Sequence, residues 1–295
     1  MEGVETRELV YFLAVATELH FTRAAERLGI AQPALSKAIR VLERRLGVRL
    51  LDRDSHRVAL TEAGEVLLHE GRHALDAVTA AVRRTRRAGQ DEPRLVLVMK
   101  PGGDRGLLPD ILAAYDAEPG MPPVEVVVTN APDRADRLRD GRADLALLHR
   151  PRDDLRGLDA EELAVEQQVA VMPRHHRLAS RRSLRMADLR GEPLPRWVGT
   201  ESEDATGPEV TDTAQLSQLV ALGRVVAVLP ESLLAPLRPE LVCVPVLDAT
   251  PSTLVLAWPE QSRSPAVAAF VRAATAVSAR RLGTVDDDVA RVVDA

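Results

Sequence analysis

Residues 21–46, Phe-Thr-Arg-Ala-Ala-Glu-Arg-Leu-Gly-Ile-Ala-Gln-Pro-Ala-Leu-Ser-Lys-Ala-Ile-Arg-Val-Leu-Glu-Arg-Arg-Leu, restrict what this chain can fold into more than any other stretch. Two helical patterns meet at Gly29-Ile30-Ala31. Thr22 is placed to cap the first, whose small apolar side carries Ala24, Ala25 and Leu28. Gly29 supplies the backbone freedom of a tight interhelical turn, and Ile30 plugs the corner. The second helix opens at Gln32-Pro33, where proline's missing N–H costs nothing. Leu35, Ile39, Leu42 and Leu46 make its apolar back, and Pro33, Ser36, Lys37, Arg40 and Arg44 its front. A donor-rich front at the exit of a tight turn suits the major groove of DNA. An ordinary helical hairpin with a solvated charged face has the same pattern.

The flanks favour the groove. Upstream, Leu9, Phe12, Leu13, Ala16 and Leu19 predict one more amphipathic helix, a third wall for a small core. Downstream, Gly47-Val48-Arg49-Leu50-Leu51 and Val58-Ala59-Leu60-Thr61 read as strands around the polar loop 52–57, a wing with arginines at its tip.

Gln32-Pro33-Ala34-Leu35-Ser36, Leu42-Glu43, Leu46-Gly47, Leu50, Arg53 and Leu60-Thr61-Glu62-Ala63-Gly64 closely resemble the winged helix-turn-helix of the LysR-type transcriptional regulators. The resemblance runs from about residue 5 to 66 without a gap. It shows two departures: Ala31 stands where the family usually has a capping serine or threonine, and Leu51 replaces a common phenylalanine.

The chain has 295 residues, 45% of them hydrophobic, enough for two or more domains. Neither end reads as a secretory signal and no apolar run is long enough for a bilayer, so a cytoplasmic protein without membrane contact is expected. A single cysteine, Cys243, excludes an internal disulfide; within Leu241-Val242-Cys243-Val244 it reads as a small core residue on a buried strand. The net charge of −5 hides an asymmetry. Residues 1–90 hold 15 Lys and Arg against 12 Asp and Glu, and the remainder 24 against 32. A weakly basic front on an acidic body permits DNA contact at one end.

From Thr61 to about Ala88 there is no proline, and Ala63, Leu67, Ala74, Val78, Ala81 and Val82 keep helical spacing. So long a helix with so narrow a stripe is expected to pair with a copy of itself, and the resemblance implies the same homodimer. Arg83-Arg84-Thr85-Arg86-Arg87 suits the C-terminal end of the helix dipole, and Gly89-Gln90-Asp91-Glu92-Pro93 is a hinge. Strands at 95–99, 124–128 and 143–148 alternate with helices at 107–118 and 133–140, which predicts a parallel sheet with helices on its faces. A second unit of the same kind is expected from Glu166, with strands at 169–172, 195–198, 209–211 and 225–229. The chain returns to the first unit at 253–258 and closes with a helix from Pro265 to about Leu282.

The fold class is therefore α/β, with five parts: a winged helix-turn-helix (1–61), a linker helix (62–90), and a two-lobed α/β effector domain of the periplasmic-binding-protein kind. Its first lobe is 93–165 with 252–282 and its second is 166–251; an acidic, frayed tail (283–295) follows. The looser matches in the body are Gly141-Arg142-Ala143-Asp144-Leu145-Ala146, His176-Arg177-Leu178-Ala179 and Val228-Leu229-Pro230. Between Trp197 and Glu209 the family usually has a full helix and loop, whereas here there is only a short acidic segment.

No catalytic constellation, metal site or cofactor motif is expected. The seven histidines are scattered, Gly102-Gly103 lacks the phosphate-loop spacing, and no nucleophile elbow accompanies the serines. Ligands of open α/β sheets bind beyond the carboxyl ends of strands. That places Lys100, Pro101, Thr129, Asn130, His149 and Arg150 of the first lobe, with Thr200 and Glu201 of the second, around a cleft for a small-molecule effector. Lys100, one of two lysines, with Arg150 suits an anion.

The expected function is a sequence-specific regulator on double-stranded DNA. Gln32, Ser36 and Lys37 would touch base edges and Pro33 a thymine methyl, with Arg40 on the same face. Thr22, Arg23, Arg53 and Arg57 would hold phosphates. Two heads on paired helices predict an interrupted inverted-repeat operator. The resemblance implies tetramers built from dimers; RNA polymerase is a further candidate partner. Two other readings fit the residues: a regulator that has lost small-molecule sensing, and a two-lobed solute-binding protein or enzyme with an incidental helical head.

Overall fold

A computed structural model describes residues 3–53, 58–89, 92–198, 205–234 and 236–293. The chain divides into two compact units, residues 1–86 with 139–141, and 87–138 with 142–295.

The first unit opens with α1 (Thr6–Glu18), α2 (Phe21–Leu28) and α3 (Gln32–Leu46). Phe12, Val15, Ala24, Ala25, Leu35, Ile39 and Leu42 are buried together, and Ile30 packs against them from the corner. Gly29 ends α2 in the left-handed region at φ 67°, as the tight turn demands. Two expected core positions fall outside. Leu19 ends α1 in the left-handed region and is exposed, and Leu46, in the last turn of α3, is 37% exposed. Both sit where a helix leaves its packing partner. Thr22 is not the cap of α2 either; His20 is, its Nδ1 accepting from the Arg23 N–H at 3.4 Å.

The wing is β1 (Leu51–Arg53) antiparallel to β2 (Val58–Leu60), in the register Leu51 opposite Leu60. The first strand thus starts later than its apolar run suggests, because Glu43 holds the approach: its Oε1 accepts the N–H groups of Leu50 and Leu51 at 3.0 and 3.2 Å. Thr61 closes the other side. Its Oγ1 donates to Arg49 O at 2.7 Å and accepts from Gly64 N at 3.0 Å. There α4 (Glu62–Ala88) begins. A Cβ on Gly64 would stand 2.1 Å from Leu50 O, so only glycine lets the helix pass the wing. Ala63, Leu67 and Leu68 pack against the head core, so the first turns of α4 belong to the head. Farther along, Val78 and Val82 are 48% and 46% exposed, with Ala74 and Ala81 beside them.

The second unit contains β3 (Leu95–Met99), α5 (Leu108–Asp116), β4 (Val124–Val128), α6 (Arg134–Arg139), β5 (Leu145–Arg150) and β6 (Leu158–Glu166). Next come β7 (Gln168–Pro173), β8 (Arg196–Trp197), β9 (Glu209–Val210), α7 (Thr213–Ala221), β10 (Ala227–Pro230), β11 (Leu241–Pro245), β12 (Ser252–Pro259) and α8 (Pro265–Val293). One sheet runs β4-β3-β5-β12-β6 and another β10-β7-β11, with β8 and β9 a separate parallel pair. In the first sheet β3 is parallel to β4 and β5, as expected. However, β12 enters antiparallel between β5 and β6, so the sheet is mixed. Its central strands are unbroken apolar runs because both faces are covered. Leu97, Leu145, Leu254, Ile111 and Phe270 pack on one face, Val98, Ala146, Val255 and Leu138 on the other.

Other expectations fail in the second unit. β6 carries Asp159, Glu161, Glu162 and Glu166 on a sheet edge, where charge is tolerated and the apolar signal is weak. The second lobe does not repeat the first: β7 pairs antiparallel with both β10 and β11, each reached only after a long excursion of the chain. Helix α7 was not anticipated, although Asp212 caps it by accepting from Gln215 N at 2.8 Å. Cys243 is only part-buried on β11, and burial raises its thiol pKa to about 11. Helix α8 continues to Val293 instead of fraying after Leu282, since no proline follows Pro265. At the start of this unit Arg87 forks onto Asp144 at 3.0 and 3.2 Å, and Asp144 also accepts Val96 N at 3.0 Å. That arginine serves an ion pair rather than the dipole alone. No helix among the described residues is long and apolar enough to cross a membrane.

Gly64→Ala is expected to cost about 3 kcal/mol, since Leu50 O must be displaced by backbone movement. A urea melt of the full chain monitored by circular dichroism checks it; an unchanged midpoint would disprove the role given to this glycine.

Candidate nucleic-acid interface and ligand cleft

In the head, Leu35, Ile39 and Leu42 are fully buried, and this turns the opposite face of α3 to solvent. Gln32, Pro33, Lys37 and Arg40 are exposed, and Ser36 is partly so. The front is lightly preorganised. Gln32 Nε2 donates to Ser36 Oγ at 3.2 Å, and Arg40 Nε donates to Ser36 O at 3.2 Å. Ala31 offers the helix no side-chain cap, but its carbonyl accepts the Ala34 N–H at 3.0 Å, and Pro33 has no N–H to satisfy. Arg45 fixes the helix from behind through Glu8 at 2.7 Å.

The phosphate candidates are placed less uniformly. Thr22 is exposed on α2. Arg23 folds back on Glu18, donating to its backbone carbonyl at 2.6 Å and pairing with its carboxylate at 3.5 Å, and Arg27 reaches that carboxylate at 3.3 Å. Arg53 ends β1 next to Val58. Arg57 lies outside the described residues, as do Thr200 and Glu201 of the proposed cleft.

The remaining cleft candidates gather at one end of the five-stranded sheet. Lys100 follows β3 and is wrapped by the turn 101–106, in which Pro101 is half-buried. A Cβ on Gly103 would stand 2.5 Å from Lys100 Cγ, so this turn needs glycine to admit the lysine stem. Thr129 follows β4 and is tied to β3 through its N–H to Met99 O at 2.9 Å. Its Oγ1 accepts Ala131 N at 3.1 Å, and Asn130 is exposed. His149 is only 4% exposed. Arg150 is misplaced by the sequence reading: it is exposed and pairs with Glu162 of β6.

Its place is taken by residues not anticipated. Arg134, at the start of α6 and 7% exposed, bonds Asp153 Oδ1 at 3.1 Å. Asp153 Oδ2 accepts His149 N at 2.7 Å. The guanidinium of Arg152 lies 4.9 Å from the centre of the Trp197 ring. The signal for these was the run Arg150-Pro151-Arg152-Asp153-Asp154 directly after a buried strand.

Burial with neighbouring cations sets the titration of this cluster. Burial lowers the Lys100 pKa to about 8; Asp153 opposes that shift, while Arg134 and Arg152 add to it. Burial, then Lys100, Arg134 and Arg152, lower His149 to about 3, so its imidazole is neutral at pH 7. Burial likewise lowers Arg152. Two polar atoms here, Arg134 Nε and His149 Nδ1, are buried without a hydrogen-bond partner among the described residues. Such atoms are costly unless something completes them.

A DNA-reading head on a ligand-binding body defines a class, the one-component transcriptional regulators. Two family models match: "Bacterial regulatory helix-turn-helix protein, lysR family" over residues 6–65, and "LysR substrate binding domain" over 88–279. The chain is 31% identical over 285 residues to the Hca operon transcriptional activator HcaR of Escherichia coli, covering 91% of this chain and 96% of the other. It is 34% identical over 192 residues to the regulator AlsR of Bacillus subtilis, covering 65% and 63%. Among solved structures, full-length BenM superposes with a TM-score of 0.55 at 25% identity, over 94% of this chain and 98% of that one. CbnR bound to its target DNA superposes at 0.53 with 22% identity, over 93% and 100%, a likeness of fold. The chain belongs to the LysR family: it is a DNA-binding transcriptional regulator with an effector-binding domain. Because the matches run through head and body alike, an incidental head on a solute-binding protein is set aside.

Asp153→Ala should leave Arg134 as a buried, uncompensated charge and cost about 3–5 kcal/mol. Chemical denaturation measures this, and a loss below about 1 kcal/mol would show that the pair does not hold the cleft floor together.

Proposed function

We propose that this regulator binds an interrupted inverted repeat in the cytoplasm as a dimer paired through α4, two dimers making a tetramer, and that a small anion in the cleft changes its geometry on DNA. The observation that carries the DNA reading is the outward face of Gln32, Pro33, Ser36, Lys37 and Arg40 on a helix whose back is fully buried. Gln32 suits adenine, Lys37 guanine, and Pro33 a thymine methyl, while Ser36 accepts or donates. Thr22, Arg23, Arg53 and Arg57 set register on phosphates, Arg23 after release from Glu18.

Pairing through α4 is supported by exposed Val78 and Val82, an apolar seam with no partner in its own chain among the described residues. Ligand sensing, rather than a cleft that has lost it, is supported by the orphaned His149 Nδ1 and Arg134 Nε. The effector would act by shifting the angle between the two sheets of the body and thereby the spacing of the heads. RNA polymerase is the natural further partner at a promoter. Catalysis is no part of this reading, as the named relatives are regulators.

Footprinting on the region upstream of its own gene, with and without candidate metabolites, tests the whole; no protected inverted repeat would refute it. Gln32→Ala should relax preference at one base position for about 1–3 kcal/mol, whereas Arg53→Ala should weaken all sequences alike and flatten the salt dependence. Identical behaviour of both variants in salt-titrated binding assays would void the assignment. Val78→Asp should halve the mass seen by analytical ultracentrifugation; an unchanged mass would place the seam elsewhere.

A further inference from the structure

The cleft has more positive charge than its own residues balance. Lys100, Arg134 and Arg152 face a single close carboxylate, Asp153, which is already committed to Arg134 and to the His149 N–H. Glu166, the other acid that reaches Lys100, is paired with Arg105 at 3.8 Å. Among the described residues Lys100 Nζ and the Arg152 guanidinium have no carboxylate bonded to them, which leaves two uncompensated cations within electrostatic reach of each other. The Arg152 guanidinium lies over the Trp197 indole at 4.9 Å, and its planar fork carries the two parallel N–H donors that match a carboxylate. Lys100 is a point charge with three donors, held by the glycine turn around it. In the same cluster, His149 Nδ1 and Arg134 Nε have no hydrogen-bond partner among the described residues.

We infer that the effector is a small dicarboxylate, one carboxylate in the Arg152 fork and the other on the Lys100 ammonium. This rests on the ligand-sensing reading above and gives it a chemical class. A monocarboxylate would leave one of the two cations, half-buried Lys100 or solvent-accessible Arg152, without a counter-charge, and a neutral ligand both. Two charges match the surplus, and the buried orphan atoms lie where a ligand oxygen or a carried water completes them.

Proton linkage follows. Burial, with Asp153, Arg134, Arg152 and Glu166 around it, sets the Lys100 pKa at about 8. A bound dianion favours the ammonium and raises that value. Affinity is therefore level below pH 8 and falls as pH rises above it, with about one proton taken up on binding in that window. His149 stays neutral throughout and adds no step near pH 7.

Isothermal titration and thermal-shift measurements on the full chain test this with succinate, glutarate and adipate against butyrate, valerate and inorganic phosphate. At least one dicarboxylate should bind about tenfold or more above its monocarboxylate counterpart. Lys100→Met and Arg152→Gln should each lose about tenfold while keeping a cooperative melt by circular dichroism. At pH 8.5 the binding heat should depend on buffer ionisation enthalpy as proton uptake requires. Preference for a monocarboxylate or phosphate, equal weak binding of every anion, or no dicarboxylate binding at all would overturn the assignment. None of those results touches the regulator reading, which falls only with the footprint.

Discussion

The buried back of α3 is the constraint on which the head depends. Leu35, Ile39 and Leu42 lock against Phe12, Val15, Ala24 and Ala25, and no rotation of the helix keeps those contacts. A 3.6-residue period then determines which side chains face out. Specificity in such a head is a consequence of packing: Gln32 and Lys37 face solvent because Leu35 and Ile39 cannot. The Arg45–Glu8 pair and the Glu43 carboxylate under Leu50 and Leu51 resist tilt and hold the wing at a set height beside the helix. The matched motif around Glu43, Thr61 and Gly64 is thus largely architectural. Its contacts are internal ones that tie the wing to α3 and α4.

The body follows a different logic. Its sheets place strand ends together, and the chain tolerates there what it avoids elsewhere: a nearly buried histidine, a nearly buried arginine and a lysine with no carboxylate of its own. Leaving such groups incomplete lowers stability, and a cleft that must respond to a ligand needs some differential free energy to draw upon. Asp153 limits that cost by satisfying Arg134 and one backbone N–H. It spends its lone pairs on the floor, so the cations above it stay available.

How much was legible from residues alone depended on how local the determining contact is. The head was readable because its signals, the Gly29 turn, Gln32-Pro33 and Leu60 to Gly64, all act within a few residues. The parallel strands β3, β4 and β5 were readable as unbroken apolar runs. Edge strand β6 was hidden by its acids, and the antiparallel pairing of β7 with β10 and β11 was hidden because each partner lies more than fifty residues away from it. Thr22 lost the cap to His20 through a one-residue difference in where the helix starts, which sequence patterns resolve poorly.

The cleft set shows the limit most clearly. Choosing both His149 and Arg150 contradicts the two-residue period of a strand, since consecutive side chains of β5 point to opposite faces. Leu145 and Leu147 pack with α5 and α8, and His149 continues that face; Ala146 and Leu148 pack with α6, and Arg150 continues the other. Glu162 lies on the same face as Arg150, opposite Leu163, and so captures it across β12. The positive charge next to His149 must then come from beyond the strand, where alternation no longer binds the chain. Arg152 meets that condition two residues on, and Arg134 meets it from the first turn of a helix. Parity along β5 thus decides which arginine neighbours the buried histidine.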